Sequence, residues 1–173
     1  SGFEWINPIK NSQFESGKKI QIRWQYPGTN EFGSVEYQLI GSNEWKLAGN
    51  DISLSQLSFD WILPETNALA IIRIKTATLE FISDTFSISK PMILKVAYNC
   101  DDESMLKWNW VSGISEYMVY KVGEKYMEPF KIISDTFIIL DEFDKQNFFY
   151  AVSPIINEKP GLRGNTINYA SSG

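Results

Sequence analysis

The sequence predicts an all-β protein composed of two tandem seven-stranded β-sandwiches. Apolar residues recur at every second position in many short runs, which is the period of a strand with one buried face. Turn-forming residues separate these runs at the roughly 8- to 12-residue intervals typical of a sandwich. Aromatic residues also make up 14% of the 173 residues, and this composition favours strands over helices.

The first predicted sandwich spans residues 1–89. Residues 3–9 are expected to form an edge strand, because Pro8 cannot donate a hydrogen bond to a neighbouring strand. A turn is expected at residues 27–33, and the next strand is expected to have its hairpin partner at residues 44–48. The side chains predicted to face the core occupy alternate positions of four runs: Ile20, Ile22 and Trp24; Val35, Tyr37 and Leu39; Phe59, Trp61 and Leu63; and Ala70, Ile72 and Ile74. They are followed by Phe81 and, after the turn residues Ser83-Asp84, by Phe86 and Ile88.

The second predicted sandwich spans residues 90–173, and Pro91 marks the boundary between the two. Because Pro91 lacks an N–H group and restricts Lys90 to extended conformations, the connection is expected to be short and taut. The most strongly patterned segment is residues 104–122, where two alternating runs flank the turn residues Ser112-Gly113. These runs are expected to form a pair of consecutive antiparallel strands.

The segment around Trp108 resembles strands B and C of a fibronectin type III domain. The pattern of that family combines a B-strand Trp, a Val-x-Gly-Ala turn and a Tyr-x-Val-Tyr strand. Here Trp108, the run Val111-Ser112-Gly113-Ile114 and the run Tyr117-Met118-Val119-Tyr120 stand in those places. The resemblance implies a fibronectin type III-like sandwich over about residues 90–170.

Two downstream segments extend this resemblance. Residues 148–153 resemble the F strand of a fibronectin type III domain, and residues 161–164 resemble its F–G hairpin with its glycine. The tyrosine corner of the fold would then fall on Phe148. Phe148 has no hydroxyl group, so the resemblance implies that the hydrogen bond of the corner is missing.

The first half resembles an immunoglobulin-like module of bacterial surface proteins. That module combines a hairpin ending in Trp with a Trp-x-x-Pro segment, an Ile-Arg-Ile strand and a closing Ser-Asp-x-Phe-x-Ile strand. The corresponding segments here are residues 37–45, 61–64, 72–74 and 83–88. The hairpin is shorter than that of the family and lacks its Asp-Gly pair.

The two resemblances together imply a biological setting. Residues 120–127 are similar to a Tyr-x-Leu-Gly-x-Lys-Tyr-Met signature of such modules. The combination looks like the non-catalytic region of large secreted or cell-surface proteins of the Bacteroidetes, including subtilisin-like proteases. The implied partners are neighbouring domains of the same polypeptide, with an extracellular protein or glycan as a further candidate.

The net charge of the chain and its lack of reactive side chains exclude several classes of function. The net charge is −5 without a long basic run, so the footprint of a nucleic-acid-binding protein is missing. No run of about twenty apolar residues is present to span a membrane. The chain has no histidine and a single cysteine, Cys100, which excludes His-dependent nucleophiles, His-ligated metal sites and an internal disulfide. Neither a cofactor nor an enzymatic activity is expected.

Two acidic turns are the candidate sites for carboxylate chemistry. The first contains Asn99, Asp101, Asp102 and Glu103, and the second, at residues 141–144, is similar. Oxygen ligands at this density can hold calcium, but the Asp-x-Asp-x-Asp-Gly pattern is missing and a solvated loop is the favoured interpretation. A carboxylate-based glycosidase is disfavoured because the acids lie in turns rather than along one face of a strand.

Aromatic side chains provide the candidate surface contacts. Inward positions are predicted for Trp24, Trp61 and Trp108, where burial worth about 2 to 3 kcal/mol each explains their presence. An exposed aromatic patch would mark a binding surface. The residues that the pattern leaves as candidate contacts for a ligand or partner are Trp45, Trp110, Tyr120 and Tyr126. Packing between strands, or at the junction of the modules, is the favoured alternative for them.

The expected function is positional. An odd number of strands places the two ends of each sandwich at opposite poles, so two sandwiches in series are expected to form a rod. Such a rod would space, orient or dock a neighbouring domain of an exported protein. Two alternatives stay open: a carbohydrate- or protein-binding module with a contiguous row of exposed aromatics, and an enzyme with a cleft of convergent carboxylates of raised pKa.

Overall fold

The computed structural model describes residues 2–147 and 149–168. The chain divides into two units, Ser1–Ser89 and Lys90–Gly173. Strands account for 54% of the described residues and helix for 4%, and each unit is folded as a pair of sheets. The predicted class, all-β with two tandem β-sandwiches, is therefore confirmed. Within the described residues, no helix has the length and apolar character needed to cross a membrane.

Residues 2–89 form nine strand segments. In chain order they are β1 (Glu4–Asn7), β2 (Gln13–Glu15), β3 (Lys19–Gln25), β4 (Phe32–Leu39), β5 (Lys46–Ser53), β6 (Ser58–Ile62), β7 (Ala68–Lys75), β8 (Glu80–Ile82) and β9 (Phe86–Ser89). One sheet has the order β1-β3-β6, and the other has the order β2-β9-β7-β4-β5, with β8 paired to β7. β1 and β2 are two parts of the first strand, because β1 pairs with β3 in one sheet and β2 pairs with β9 in the other. β8 and β9 are likewise two parts of one strand, because they pair with successive stretches of β7. The nine segments therefore correspond to seven strands.

The core of the first unit follows the alternation in the sequence. The predicted inward residues that are buried are Ile22, Trp24, Val35, Trp61, Leu63, Ala70, Ile72, Ile74, Phe86 and Ile88. Those that are partly buried and pack against the same core are Ile20, Tyr37, Leu39, Phe59 and Phe81. The Trp24 indole N–H also donates a hydrogen bond of 2.8 Å to the carbonyl oxygen of Leu54, so this large side chain is buried with its polar atom satisfied.

Two local expectations for the first unit are wrong. β4 begins at Phe32, so Phe32 and Gly33 belong to a strand and not to the expected turn. A Cβ atom on Gly33 would lie 2.6 Å from the carbonyl oxygen of Lys75, so the close approach of β7 requires glycine here. The hairpin partner of β4 is Lys46–Ser53 rather than residues 44–48, because the pairing continues back to Phe32.

The described part of the second unit forms eight strand segments. They are β10 (Lys95–Asn99), β11 (Glu103–Lys107), β12 (Tyr117–Val122), β13 (Met127–Ile133), β14 (Phe137–Asp141), β15 (Phe149–Ile156), β16 (Lys159–Pro160) and β17 (Ile167–Asn168). One sheet has the order β10-β11-β14, and the other has the order β13-β12-β15-β16 with β17 also on β15. Since β16 and β17 pair with opposite ends of β15, they make one interrupted strand, and this unit also has seven strands.

The consecutive strands β11 and β12 do not pair with each other, so the expected strand pair is wrong. β11 pairs with β10 and β14, whereas β12 pairs with β13 and β15 in the other sheet. The two strands instead meet across the core, where the ring centroids of Trp108 and Tyr117 are 5.8 Å apart. The Tyr117 hydroxyl accepts a hydrogen bond of 3.2 Å from the backbone N–H of Val111. Trp108, the residue after β11, and Tyr117, the first residue of β12, are thus buried against each other.

The tyrosine corner of the second unit is formed by Tyr150. The sequence assigns it to Phe148, which lies outside the described residues. The Tyr150 hydroxyl donates a hydrogen bond of 2.6 Å to the carbonyl oxygen of Asp144, and Tyr150 is fully buried. A side-chain hydrogen bond of the kind that the resemblance implied to be missing at Phe148 is thus made by Tyr150, two residues farther along the chain.

The hairpin between β15 and β16 turns at Asn157-Glu158 and not at residues 161–164. Both turn residues have positive φ, 47° and 67°, as a two-residue type I′ turn requires. Gly164 lies farther along the return segment, where its N–H donates a hydrogen bond of 2.9 Å to the carbonyl oxygen of Val152. A Cβ atom on Gly164 would overlap the backbone of Met92, so this glycine serves packing rather than the turn.

Replacement of Tyr150 by Phe is expected to lower the free energy of unfolding of the second unit by about 1 to 3 kcal/mol, because the hydrogen bond from a fully buried side chain to a partly buried carbonyl oxygen is lost. Urea unfolding combined with amide hydrogen exchange in β12 and β15 measures the change. Tyr126→Phe is the matched control, since Tyr126 is 78% exposed and its change should stay within about 0.5 kcal/mol. Equal effects of the two substitutions would contradict the assignment of the corner.

Candidate functional site

Trp45 lies against an arginine on the outer face of the larger sheet of the first unit. The Arg73 guanidinium carbon is 4.1 Å from the centroid of the Trp45 ring, a distance at which a cation and an aromatic face attract each other. Arg73 Nε also donates a hydrogen bond of 2.5 Å to Glu36 Oε2, and Nη1 donates one of 3.3 Å to Glu80 Oε2. The half-buried Trp45 ring is therefore part of a cluster with one arginine and two carboxylates.

Tyr120 on β12 is in a comparable position in the second unit. The Arg163 guanidinium carbon is 5.6 Å from the centroid of its ring. The hydroxyl groups of Tyr120 and Ser153 share a hydrogen bond of 3.1 Å, and Ser153 is fully buried. Tyr120 thus helps to cover a neighbouring strand, β15, and its ring is half-buried.

Trp110 and Tyr126 are the candidate contacts that are well exposed. Their side chains are 68% and 78% exposed. Trp110 precedes β12, and Tyr126 follows it in a turn closed by a hydrogen bond of 2.7 Å from the N–H of Gly123 to the Tyr126 carbonyl oxygen. A six-residue strand separates them, which amounts to roughly 20 Å at about 3.3 Å per residue. The two rings lie toward opposite ends of one strand and do not adjoin.

Neighbouring protein groups bind oxygen atoms of the acidic loop between β10 and β11. The Ser104 hydroxyl donates a hydrogen bond of 2.5 Å to Asn99 Oδ1. The Lys145 ammonium donates to two backbone carbonyl oxygens of the loop, those of Cys100 and Asp101. In the described part of the chain, no three side chains of Asp, Glu, His or Cys lie close enough together to hold a metal ion.

Tyr98 and Glu103 form a hydrogen bond across the base of this loop. The Tyr98 hydroxyl donates to Glu103 Oε1 at 2.6 Å. This hydrogen bond, with a smaller contribution from desolvation, raises the pKa of Tyr98 above its ordinary value. The carboxylate stabilises the protonated phenol because a phenolate could not donate the hydrogen bond and would face a second negative charge.

A depression in the second unit was not anticipated from the sequence. It lies where β10 begins and β11 ends, and its volume is about 330 Å³. The residues that line it are Ile93, Lys95, Lys107, Trp108 and Asn109. Only the register of β10 against β11 places Lys95 opposite Lys107, so no motif or spacing in the sequence indicates this site.

Comparison with known proteins finds similarity to solved structures alone. No protein-family model matches the chain, and no curated protein matches it. A two-domain fibronectin type III segment of chicken tenascin is 11% identical, with a TM-score of 0.45, and the match covers 96% of this chain and 97% of that chain. A chain of a cytokine receptor complex is 12% identical, with a TM-score of 0.48, and the match covers 95% of this chain and 93% of that one.

A third solved structure contains the FN1–FN3 domains of chicken CNTN1. It is 15% identical, with a TM-score of 0.37, over 93% of this chain. The present chain spans 64% of the length of that chain. Identities and TM-scores in this range carry no argument about binding or activity.

Glu103→Gln is expected to lower the pKa of Tyr98, because the carboxylate that favours the protonated phenol is removed. Titration of the Tyr98 ring signals by NMR measures the change. Asp102→Asn is the matched control, because Asp102 is a neighbouring carboxylate of the same loop that does not bind Tyr98. An equal decrease in both variants would contradict the specific role of Glu103.

The same interaction predicts the direction of a pH effect on stability. A phenol whose pKa is higher in the folded state than in the unfolded state contributes its full stabilisation below the unfolded value, about 10. This contribution is lost as the pH rises through the folded-state pKa. The difference in unfolding free energy between the native chain and its Tyr98→Phe variant should therefore be constant near neutral pH and decrease above about pH 10.

Proposed function

We propose that this chain is a non-catalytic accessory region of a larger exported or cell-surface protein, in which it spaces, orients or docks a neighbouring domain. In this proposal, residues 1–89 are an immunoglobulin-like module and residues 90–173 a fibronectin type III-like module. The resemblances in the sequence support a source in the Bacteroidetes. The observation that carries the proposal is the way the chain is held on both sides of the unit boundary.

Each unit holds its own end of the connection. Ser89 ends β9, is fully buried, and accepts a hydrogen bond of 3.0 Å at its carbonyl oxygen from the N–H of Ser16. Met92 is 1% exposed. The N–H of Ile93 donates a hydrogen bond of 2.9 Å to Asn109 Oδ1 in the second unit. The backbone is therefore fixed up to Ser89 and again from Met92.

Only Lys90 and Pro91 stand between these two fixed points. The ring of Pro91 fixes its own φ and restricts Lys90 to extended conformations. Few conformations are thus available to the connection. This restriction supports a positional role, because a spacer can determine the placement of a neighbouring domain only if the connection between its units has few conformations.

Insertion of Gly-Ser-Gly-Ser between Lys90 and Pro91 is expected to uncouple the tumbling of the two units. In the native chain, ¹⁵N relaxation should give both units a common rotational correlation time. The insertion should give each unit a shorter time, because Gly/Ser linkers behave as flexible coils. The same insertion after Gly123, in a turn within the second unit, is the control and should leave the units coupled. Independent tumbling of the units in the native chain would contradict the proposal.

A second candidate function is a carbohydrate- or protein-binding module. The exposure of Trp110 and Tyr126 favours it, because such rings can stack on sugars or anchor a protein interface. The lack of contact between these two rings favours the positional role. The half-buried Trp45 and Tyr120 rings, each next to an arginine, would contribute only one edge or face.

A glycan array of the full chain separates the two candidates, and no saturable response is expected. The variants Trp110→Ala and Tyr126→Ala are matched with Ile132→Ala, which removes an exposed aliphatic side chain. If a glycan bound saturably, and binding were lost in either aromatic variant but kept in Ile132→Ala, the binding module would replace the spacer as the better account.

A further inference from the structure

Two lysines face each other at the depression where β10 begins and β11 ends. Lys95 and Lys107 are directly opposite in the antiparallel pair, an arrangement that places Cβ atoms about 4.5 to 5.5 Å apart. Both side chains line the depression. The residue opposite Lys107 on its other side is Phe137 of β14, and β10 is an edge strand. No carboxylate therefore faces the pair from a paired strand position.

The two ammonium groups have no counter-charge in the described part of the chain. Neither Lys95 nor Lys107 forms an ion pair with a described residue, in contrast to Arg73 of the first unit. Like charges at directly opposite positions destabilise a strand pair. The arrangement is thus unfavourable by itself, and an anion bound between the lysines would relieve it.

The remaining wall supplies a neutral donor and apolar surface. Asn109 accepts the N–H of Ile93 with its Oδ1 atom, which leaves its Nδ2 group as a donor. Ile93 is 57% exposed and presents an aliphatic side chain. Trp108, which is 5% exposed, forms the inner part of the wall. Apart from the two lysines, the wall therefore combines one amide donor with apolar side chains.

We propose that this depression binds the carboxylate of a small organic anion whose body is apolar. The carboxylate oxygens accept hydrogen bonds from the ammonium groups of Lys95 and Lys107 and from Asn109 Nδ2. The apolar body lies against Ile93 and Trp108. This site goes beyond the positional function, and the two can hold independently.

The size and chemistry of the depression select this class of ligand. Its volume of about 330 Å³ is at the low end of the range for ligand pockets, roughly 300 to 1,000 Å³, so the ligand is small. A cation would be repelled by the two lysines. A phosphate would place further charged oxygens against Ile93 and Trp108, and the site has no arginine to bind it with forked geometry.

The experiment titrates the full chain with 3-phenylpropionate and follows the amide and indole N–H signals by NMR. Saturable shifts of the Trp108 indole and of residues 93–95 and 107–109 are expected, with a Kd below roughly 10 mM. The neutral 3-phenylpropionamide has nearly the same shape and should bind at least about threefold more weakly. Equal binding of the amide, or no saturation, would overturn the proposal.

Matched variants test the role of the lysines. Lys95→Gln and Lys107→Gln should each raise the Kd about threefold, and the double variant about tenfold. Lys125→Gln removes a charge from an exposed turn of the same unit and should leave the Kd unchanged. An effect of Lys125→Gln equal to that of the other variants would indicate net charge alone and would overturn the site.

The test does not depend on the stability of the variants. Removal of one lysine relieves a repulsion, so the melting temperature of each variant should equal or exceed that of the native chain. In the native chain itself, about 1 M NaCl should weaken binding of the carboxylate through screening and leave binding of the amide unaffected. Salt-independent binding of the carboxylate would contradict a charge-based site even if every variant failed to fold.

Discussion

Burial of one face of every strand against a second sheet is the constraint on which both units depend. Strands with one apolar face are stable only when that face is covered. This requirement explains why β11 and β12 lie in different sheets although they are consecutive. If they paired, Trp108 and Tyr117 would lie on one sheet and still need a cover. With β11 and β12 in opposite sheets, Trp108, just after β11, and Tyr117, at the start of β12, cover each other, with ring centroids 5.8 Å apart.

The same constraint shows why the fold was more predictable than the candidate site. Alternation assigns each side chain to one of two faces, and the inward assignments hold at Ile22, Trp24, Trp61 and Trp108. It does not choose between neighbouring aromatics such as Phe148 and Tyr150, and it contains no information about which residue lies opposite. The pairing of Lys95 with Lys107 depends on a register that shifts between Val96 and Tyr98, and a shift of this kind leaves no mark on composition or spacing.

Two aromatic rings that lie outside the cores are partly covered by arginine side chains instead of by a second sheet. Trp45 and Tyr120 are both placed outside a core by the sequence pattern, yet a guanidinium lies over each ring. A guanidinium is weakly hydrated and planar, so it can cover an aromatic face and still bind a carboxylate. Arg73 does both, since it contacts Trp45 and bonds Glu36 and Glu80. Such rings stabilise the outer surface of a sheet and lose most of the free face that a sugar would need.

The buried residue Ser16 holds the end of the first unit with its backbone N–H and a neighbouring loop with its hydroxyl group. Ser16 is 8% exposed. Its hydroxyl donates to the carbonyl oxygen of Pro64 at 3.3 Å and accepts from the N–H of Thr66 at 2.9 Å. Its backbone N–H donates to the carbonyl oxygen of Ser89 at 3.0 Å. One residue thus ties the loop before β7 to the last residue of β9.

This placement of Ser16 connects the interior of the unit to its proposed role. A buried hydrogen bond contributes about 1 kcal/mol, but loss of one partner leaves the other unsatisfied at a cost of about 1 to 3 kcal/mol. Movement of the chain at Ser89 would break such a bond inside the protein rather than at its surface. The position and direction of the exit are therefore coupled to the stability of the sandwich itself. A spacer needs this coupling. If the last residue of the unit could move without disturbing the core, the unit could not determine where the following domain lies.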